Sequence, residues 1–314
     1  MVTTADHTYT SATLERQIAD AGARLEVVSW ESLLGRRSLP GGTWLFTDFD
    51  RLAPAELHAA GMIAGKLKGA RVRVVNDPRR YLRREQLINR LWREGLNSYR
   101  AWRPADGEWP DRFPVFLRPA SGHVAPNRKL LESEEEARDW LKERLRRGDT
   151  LSDLVFIEYR GEPVGDPPYF SRYSAFRVGS AILRANTVNQ DHWVVKGGQR
   201  GLASAEDYKE ERREMDAYPH EAAVRHVFDV AGMEFGRLDF GVTEGRVETW
   251  EINTNPDMTL APSHPDPVRE EVMHLLRSRL AGALAALASP AAGRVDISEA
   301  YRRSKALRGR VFRS

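Results

Sequence analysis

The stretch that decides the fold spans residues 235–258 and reads FGRLDFGVTEGRVETWEINTNPDM. Two runs of strand-like sequence, 235–242 and 247–253, are separated by the residues TEGR. Successive side chains of a strand point to opposite faces, and Gly245 can adopt the left-handed conformation that tight turns need. The pattern predicts an antiparallel hairpin with a three-residue loop at 244–246.

A three-residue loop fixes which residues of the hairpin lie opposite each other. Asp239 then pairs with Glu251, and Thr243 pairs with Val247. Like charges directly opposite on neighbouring strands are destabilising, so the two facing carboxylates need a cation. Magnesium can supply it, because this ion prefers carboxylate and amide oxygens together with phosphates, and so can the guanidinium of Arg237.

The same register sorts the hairpin into two faces. A polar face is predicted for Arg237, Asp239, Glu251 and Asn253. The other face is predicted to enter the core, and it carries Leu238, Phe240, Val242, Trp250 and Ile252. Before the hairpin, apolar residues at helical spacing predict a helix over 223–231 that ends at Gly232.

The first 77 residues predict a small, mostly parallel α/β sheet, because strand-like and helix-like runs alternate there. The predicted strands are 25–30, 43–49 and 71–75, and the predicted helices are 12–21 and 54–66. The middle of the chain is predicted to be α+β, with elements in mixed order. Its predicted helices are 81–94 and 133–146, and its predicted strands are 113–118, 154–159 and 176–183.

Residues 236–240 and 251–256 resemble the C-terminal magnesium motif of ATP-grasp enzymes, in which an aspartate on one strand precedes Glu-x-Asn on the next. The run FPVFLRP at 113–119 is similar to the family strand that ends in a phosphate-binding basic residue. The run LVFIEY at 154–159 is similar to the hinge strand whose backbone reads adenine. Together with VNDP at 75–78, these likenesses extend over about residues 75–290.

The resemblance implies an α+β ATP-grasp fold, in which two lobes clasp ATP, preceded by a small α/β domain. We expect the N-terminal domain at 1–77 and the ATP-grasp domain at 78–290. The lobes of that domain are expected at 78–160 and 161–290, and a basic C-terminal tail is expected at 291–314.

The resemblance also implies an enzyme, an ATP-dependent ligase that forms C–N bonds through an acyl phosphate and uses ATP and Mg²⁺. Its substrates would be a small-molecule or peptide carboxylate and an amine. Asp239, Glu251 and Asn253 would hold the metal, and Arg118 would contact the ATP phosphates. Glu158 and Tyr159 would lie along the adenine hinge. The candidates for contacts with phosphate or the substrate carboxylate are Arg177, Arg184 and Lys196.

Three departures from the family pattern keep a second interpretation open. Arg118 stands where the family strand usually ends in lysine, and the loop 120–127 contains a single glycine. Ser174 aligns with an arginine of the family. The alternative is a degenerate ATP-grasp protein that binds nucleotide without ligase activity.

Composition excludes several other classes of protein. The chain has no cysteine, which rules out disulfides and cysteine nucleophiles, and its eight histidines show no close metal-ligand spacing. No serine-hydrolase or P-loop motif occurs. No run approaches the about 20 apolar residues of a membrane span, so we expect no membrane partner. Asp6 and His7 stand where a secretory signal would be basic and then apolar, so we expect a cytoplasmic protein.

Basic residues are concentrated in two segments, although the formal net charge is only +3. Residues 71–103 contain ten arginines and three acids, and residues 301–314 contain six basic residues and no acid. These segments are either solvated surfaces or sites of attraction for phosphate or nucleic acid. The few nearby aromatic residues also fit helix packing, so we expect no nucleic-acid partner. A homo-oligomer is left open.

Overall fold

The computed structural model describes residues 1–121, 126–259, 263–291 and 293–303. The first part of the chain forms short parallel pairings: β1 with β2 and β4 with β5, with a parallel bridge between Val2 and Phe46. Its elements are β1 (Val2–Thr3), a 3₁₀ segment (Ala5–Leu14), α1 (Glu15–Asp20), β2 (Val28–Ser29), α2 (Trp30–Leu34), β3 (Ser38–Pro40), β4 (Trp44–Leu45), a 3₁₀ turn (Phe49–Arg51), α3 (Pro54–Gly69) and β5 (Val74–Val75).

The parallel pairing agrees with the alternating pattern, but the strands are shorter than predicted. The predicted strand 25–30 ends early because Ser29 caps a helix: its Oγ accepts a hydrogen bond from the Ser32 N–H at 3.1 Å. Phe49, predicted at the end of a strand, lies in a 3₁₀ turn instead.

The next part of the chain forms a three-stranded antiparallel sheet in the order β6-β8-β7. At the start of α5, the Ser133 Oγ accepts from the Glu136 N–H at 3.3 Å, which is the capping that the spacing of these residues predicts. The elements of this lobe are a 3₁₀ turn (Pro78–Arg80), α4 (Arg84–Arg93), β6 (Ala101–Trp102), a 3₁₀ turn (Pro104–Asp106), β7 (Val115–Pro119), α5 (Glu134–Arg146), a 3₁₀ turn (Leu151–Asp153) and β8 (Leu154–Glu158).

A larger antiparallel sheet follows, in the order β10-β9-β12-β13, with β11 also paired to β9. The predicted single strand 176–183 is wrong, because the chain turns at Gly179 (φ +63°) and forms the β9–β10 hairpin. The elements of this lobe are β9 (Phe170–Val178), β10 (Ala181–Arg184), β11 (Val188–Gln190), α6 (Ala205–Glu214), α7 (Glu221–Ala231), β12 (Phe235–Thr243), β13 (Arg246–Asn253) and α8 (Pro267–Ala285).

The β12–β13 hairpin has a different loop from the predicted one. Glu244 (φ +51°) and Gly245 (φ +74°) form a two-residue turn with both central residues left-handed, and Thr243 pairs with Arg246 rather than Val247. A bulge at Trp250 then adds one residue to β13, so that Asp239 still pairs with Glu251.

Between the turn and the bulge, β13 is shifted by one residue from the predicted register, and this changes which of its side chains face the core. Val247 is buried in the cluster that also contains Leu238 and Phe240, although the predicted register left it outside the core set. Trp250, predicted to enter the core beside these residues, instead lines the cleft between the two sheets. Shifting a strand by one residue exchanges its faces, which explains both differences.

The end of the chain returns to the N-terminal part. The strand β14 (Arg294–Asp296) pairs antiparallel with β3, and Ile297 and Ala300 are 1% and 0% exposed. Within the expected basic tail 291–314, residues 294–300 thus pack against the N-terminal part of the chain, and residues 304–314 lie outside the described part. Within the described ranges, no helix combines the length and apolar character needed to cross a membrane.

Candidate active site

A cleft of about 600 Å³ lies between the two sheets, with β7 and β8 on one side and β9, β12 and β13 on the other. Seven of the nine predicted site residues line it. They are Arg118, Glu158, Tyr159, Lys196, Asp239, Glu251 and Asn253.

Asp239 lies on β12 and is 2% exposed. Its Oδ1 accepts from Arg237 Nε at 2.8 Å and from Ser174 Oγ at 2.9 Å, and its Oδ2 accepts from Arg237 Nη2 at 2.9 Å. Burial acts to raise the pKa of Asp239, but the charges of Arg237 and Arg172 and the hydrogen bonds outweigh burial and lower this pKa. Asp239 is therefore held as a carboxylate.

Glu251 lies opposite Asp239 on β13 and has its own arginine. Its Oε2 accepts from Arg84 Nε at 2.9 Å and from Arg84 Nη2. Arg84 stands at the start of α4, and its side chain is 10% exposed. The sequence analysis did not identify this residue, because it is one of ten arginines within residues 71–103. Only the packing of α4 against β13 distinguishes it from the others.

The two arginines supply the positive charge that the facing carboxylates need. The guanidinium of Arg237, one of the two cations considered from the sequence, pairs with Asp239. The guanidinium of Arg84 pairs with Glu251. Asn253 completes the polar face, and its Oδ1 accepts from the Asn255 N–H at 3.0 Å. In the described part of the chain, no group of three histidine, cysteine, aspartate or glutamate side chains could hold a metal ion.

Arg84 and Arg172 line the cleft, and each has a buried guanidinium nitrogen without a hydrogen-bond partner among the residues that the structure describes. Arg84 Nη1 and Arg172 Nε make no hydrogen bond with any described residue. Burial and the charge of Arg84 lower the pKa of nearby Arg118 to about 10. Unmade hydrogen bonds and crowded like charges are both costly in a buried site, and an anionic ligand would relieve both.

The predicted hinge is held by ion pairs within the chain. The Glu158 carboxylate is fully buried and pairs with Arg112 at 2.7 Å and with Arg160. The backbone N–H groups of Glu158 and Tyr159 donate to the carbonyls of Arg100 and Pro114, at 3.0 and 2.9 Å. These two donors are therefore not available to a ligand.

Aromatic rings form flat apolar walls beside the hinge. Trp193 packs against Phe116 and Tyr159, with ring centroids 5.0 and 5.2 Å apart, and its Nε1 donates to the Arg128 carbonyl at 3.1 Å. On β13, Trp250 covers Gly241, where an added Cβ would lie 3.1 Å from the indole. The sequence patterns did not assign Trp193 or Trp250 to the site.

Arg177 and Arg184, predicted as phosphate or substrate contacts, do not line the cleft. Arg177 donates to Asp229 at 2.5 Å and to the Gly179 carbonyl at 3.0 Å. Arg184 is buried and pairs with Glu211 and with Glu214, the latter at 2.8 Å. Both arginines join structural elements of the second lobe. Residues 122–125 of the predicted loop 120–127 lie outside the described residues.

No family model and no curated protein matches the chain. Solved structures do match. One is a RimK domain ATP-grasp protein from Sphaerobacter thermophilus, with 14% identity, 91% of this chain and 98% of that chain covered and a TM-score of 0.48. Another is the D-alanine–D-alanine ligase from Bacillus anthracis complexed with ATP. Its identity is 15%, with 91% of this chain and 97% of that chain covered and a TM-score of 0.47. A third is the ATP-grasp ligase PsnB complexed with minimal precursor. Its identity is 13%, with 91% of this chain and 98% of that chain covered and a TM-score of 0.48.

The sequence predicts an ATP-grasp fold, and solved structures that match the chain include ATP-grasp proteins. Identities this low carry nothing about activity.

Proposed function

We propose that this protein is an ATP-dependent ligase that activates a carboxylate with ATP and Mg²⁺ and joins it to an amine. The observation that carries the proposal is the charge pattern of the cleft. Two opposed carboxylates stand next to buried arginines, two of which have N–H groups that no described residue satisfies. Such a cleft offers cation-binding oxygens and anion-binding nitrogens side by side, as a nucleotide with its metal requires.

The residues on the polar face fit magnesium by their chemistry. Asp239 and Glu251 supply carboxylate oxygens and Asn253 an amide oxygen, and both bonds from Arg84 fall on a single oxygen of Glu251. These three residues would hold the ion. When bound, magnesium would neutralise charge on the phosphates.

The remaining contacts would be made by side chains already on the cleft walls. Arg84, Arg118 and Arg172 would bind phosphate oxygens, because guanidinium groups match oxyanions with paired hydrogen bonds. The rings of Phe116, Trp193 and Trp250 would pack on a planar base. The volume of about 600 Å³ lies within the usual range for small-ligand sites. Lys196 is the candidate for the substrate carboxylate.

The reaction would proceed in two transfers. A carboxylate oxygen attacks the γ-phosphorus of ATP, and ADP leaves with the electron pair of the broken P–O bond. The amine then attacks the carbonyl carbon of the acyl phosphate, inorganic phosphate leaves, and the nitrogen loses a proton. The arginines would stabilise the charge that moves onto the phosphate oxygens in both steps.

A second candidate function is nucleotide binding without ligation. The ion pairs of Asp239 with Arg237 and of Glu251 with Arg84 favour it, because they satisfy the carboxylates without a metal. It would retain the base-binding and phosphate-binding residues and lack turnover.

One experiment separates the two functions. ADP and AMP release from ATP would be measured with pooled amino acids, dipeptides and small carboxylates, for the parent and for Asp239→Asn. Asp229→Asn, an exposed site away from the cleft, serves as the matched control. The ligase proposal expects substrate-dependent ADP release that Asp239→Asn abolishes and Asp229→Asn retains. A parent that binds ATP but releases no ADP with any pool would establish the second function.

A further inference from the structure

A second cavity, of about 730 Å³, lies between the N-terminal part of the chain and the first lobe. We call it the α3 cavity, because α3 supplies much of its wall. Its volume falls in the usual range for small-ligand sites. No residue assigned above to the nucleotide, the metal or the substrate carboxylate lines it. Its apolar lining includes Leu52, Pro54, Leu57, Met62 and Tyr81.

A narrow neck of about 40 Å³ joins the α3 cavity to the cleft. The neck shares Asp50, Tyr81 and Ala120 with the α3 cavity. It shares Arg84 and Glu251 with the cleft. About 10–15 Å³ of such space holds one water molecule, so the neck has room for a small end group of a ligand. The apolar bulk of the same ligand would stay in the α3 cavity.

Two glycines on α3 shape the wall of the α3 cavity. Gly61 and Gly65 both line it, and residues four apart lie on one face of a helix. A Cβ added at Gly61 would lie 2.9 Å from Cγ of Arg79, so the missing side chain makes room for this arginine. A Cβ added at Gly65 would lie 3.5 Å from Nη1 of Arg79, which is an ordinary contact. A large residue at position 65 would therefore fill the cavity without straining the helix.

The ionisable groups that line the neck sum to one negative charge. Arg84 pairs with Glu251, and Asp50 is the second acid of the neck. Oδ1 of Asp50 accepts from Thr254 Oγ1 at 3.4 Å. Burial, together with the charge of Asp50, raises the pKa of Tyr81 above its usual range, so this phenol stays neutral. A primary ammonium has the size and the charge that suit the neck.

The α3 cavity offers a cation to the other end of such a ligand. Arg79 is already paired with Asp77 at 2.6 Å, whereas Arg83 lines the cavity with an exposed side chain. The carboxylate of Asp153 accepts from the N–H and the Oγ of Ser121, at 2.9 and 2.7 Å. A carboxylate on the ligand would pair with the guanidinium of Arg83.

We propose that the α3 cavity binds a short apolar peptide as the amine substrate, with its terminal ammonium in the neck at Asp50 and its carboxylate at Arg83. This inference rests on the proposed ligase function and adds the class of the amine. The ammonium loses a proton to water, and its nitrogen forms the bond to the acyl carbon. The C–O bond to phosphate breaks, and phosphate leaves with that electron pair.

Binding is tested without turnover, by calorimetric titration with the dipeptide Leu-Leu in the absence of ATP. Gly65→Leu fills the α3 cavity, and Asp50→Asn removes the charge of the neck. A hydrogen bond to a charged group contributes about tenfold in affinity or more. We expect the parent to bind Leu-Leu, and both variants to bind it at least about tenfold more weakly. N-acetyl-Leu-Leu, which has no ammonium, should bind the parent more weakly by a similar factor.

Gly282→Leu, at an exposed helical glycine with open space around it, is the matched control and should bind Leu-Leu like the parent. Thermal melting checks the fold of each variant. Gly65→Leu should melt no lower than the parent, because leucine favours a helix more than glycine does.

Ligation is measured separately, as ADP release and product mass with ATP, Mg²⁺, pooled carboxylates and either dipeptide. We expect a product joined to the terminal nitrogen of Leu-Leu, and none with N-acetyl-Leu-Leu in its place. A parent that does not bind Leu-Leu, or a Gly65→Leu that binds it equally well, would overturn the site, and ADP release with other amines would still support the ligase function. ADP release without any product that contains the dipeptide would overturn its role as the amine. A parent that releases no ADP with any pool would refute the ligase function itself, and with it this role.

Discussion

Asp239 and Glu251 lie directly opposite each other on β12 and β13, and each carboxylate is neutralised by a different arginine. Arg237 comes from the same strand as Asp239, whereas Arg84 comes from α4 of the other lobe. The opposed carboxylates are therefore stable together without a metal. Any magnesium ion must share these oxygens with the guanidinium groups, and this makes the effect of each carboxylate on nucleotide binding measurable.

Glu251→Gln should reduce the gain in ATP affinity that magnesium provides. The substitution removes a metal-binding charge and also releases Arg84 from its ion pair, so ATP affinity without magnesium should stay equal or rise. Calorimetric titration with ATP in the presence and absence of magnesium measures both quantities. Glu244→Gln, at the exposed turn of the same hairpin, is the control. Equal Mg-ATP affinity for Glu251→Gln and the parent would show that Glu251 does not hold the metal.

Two glycine-to-alanine substitutions should change stability in opposite directions. Gly245 has φ +74° in the hairpin turn, and Gly282 lies inside α8, and neither has another atom within 4 Å of an added Cβ. The left-handed conformation costs an L-residue about 1–2 kcal/mol, so Gly245→Ala should destabilise by that amount. Gly282→Ala should stabilise by about 0.5–1 kcal/mol, because alanine loses less entropy in a helix. Urea unfolding measures both, and a neutral Gly245→Ala would contradict the two-residue turn.

The predicted pairing of Asp239 with Glu251 is correct because two differences from the predicted hairpin cancel each other. The turn is one residue shorter than the loop that was predicted, and the bulge at Trp250 adds one residue to β13. Asp239 and Glu251 lie beyond the bulge and keep their predicted partners, while Val247 and Trp250 exchange faces. Alternation along a strand cannot reveal a bulge, because the bulge depends on how the indole packs over Gly241 in three dimensions.

The arginines show that local sequence does not reveal which basic side chains line the cleft. Arg118 and Arg177 both lie on strands with similar local sequence character, but only Arg118 lines the cleft. Arg177 turns to Asp229 on α7, and Arg84 turns to Glu251 on β13. These partners are 52 and 167 residues away in the chain, so no local pattern distinguishes a ligand-binding arginine from a structural one.

Asp77 should contribute stability that is lost in acid. Burial acts to raise the pKa of Asp77, but hydrogen bonds from Arg79 and Lys68 outweigh burial and lower it well below its usual range. A carboxyl group with a lowered folded-state pKa stabilises the fold above its unfolded pKa of about 3.9 and loses this contribution as the pH falls further. The difference in unfolding free energy between the parent and Asp77→Asn should therefore be largest near neutral pH and shrink below about pH 4.

Urea unfolding of both proteins across this pH range tests the dependence on Asp77. Asp20→Asn, at an exposed position at the end of α1, should show no comparable difference at any pH. A stability difference for Asp77→Asn that stays constant from neutral pH into acid would mean that the ion pairs with Arg79 and Lys68 do not account for it.

Arg118 decides between the ligase and the nucleotide-binding module. If it stabilises the charge that develops during phosphoryl transfer, Arg118→Ala should lower turnover by about 10²- to 10³-fold and change ATP affinity far less. Arg118→Lys should recover part of the loss, since it keeps the charge but not the paired hydrogen bonds. ADP release and direct ATP-affinity measurements would be made for both variants, with the exposed Arg146→Ala as control.

The pH dependence of Arg118→Lys gives an independent readout. Burial and the charge of Arg84 lower the pKa of Arg118 to about 10, so the parent keeps this charge well above neutral pH. The same environment would lower the pKa of a lysine from its ordinary value of about 10.4, so the variant should lose its charge at a lower pH. Turnover of Arg118→Lys should therefore fall as the pH rises from about 7 to about 9, whereas turnover of the parent should not fall over this range. Parallel profiles for parent and variant, or an Arg118→Ala that loses only ATP affinity, would leave Arg118 with a binding role alone.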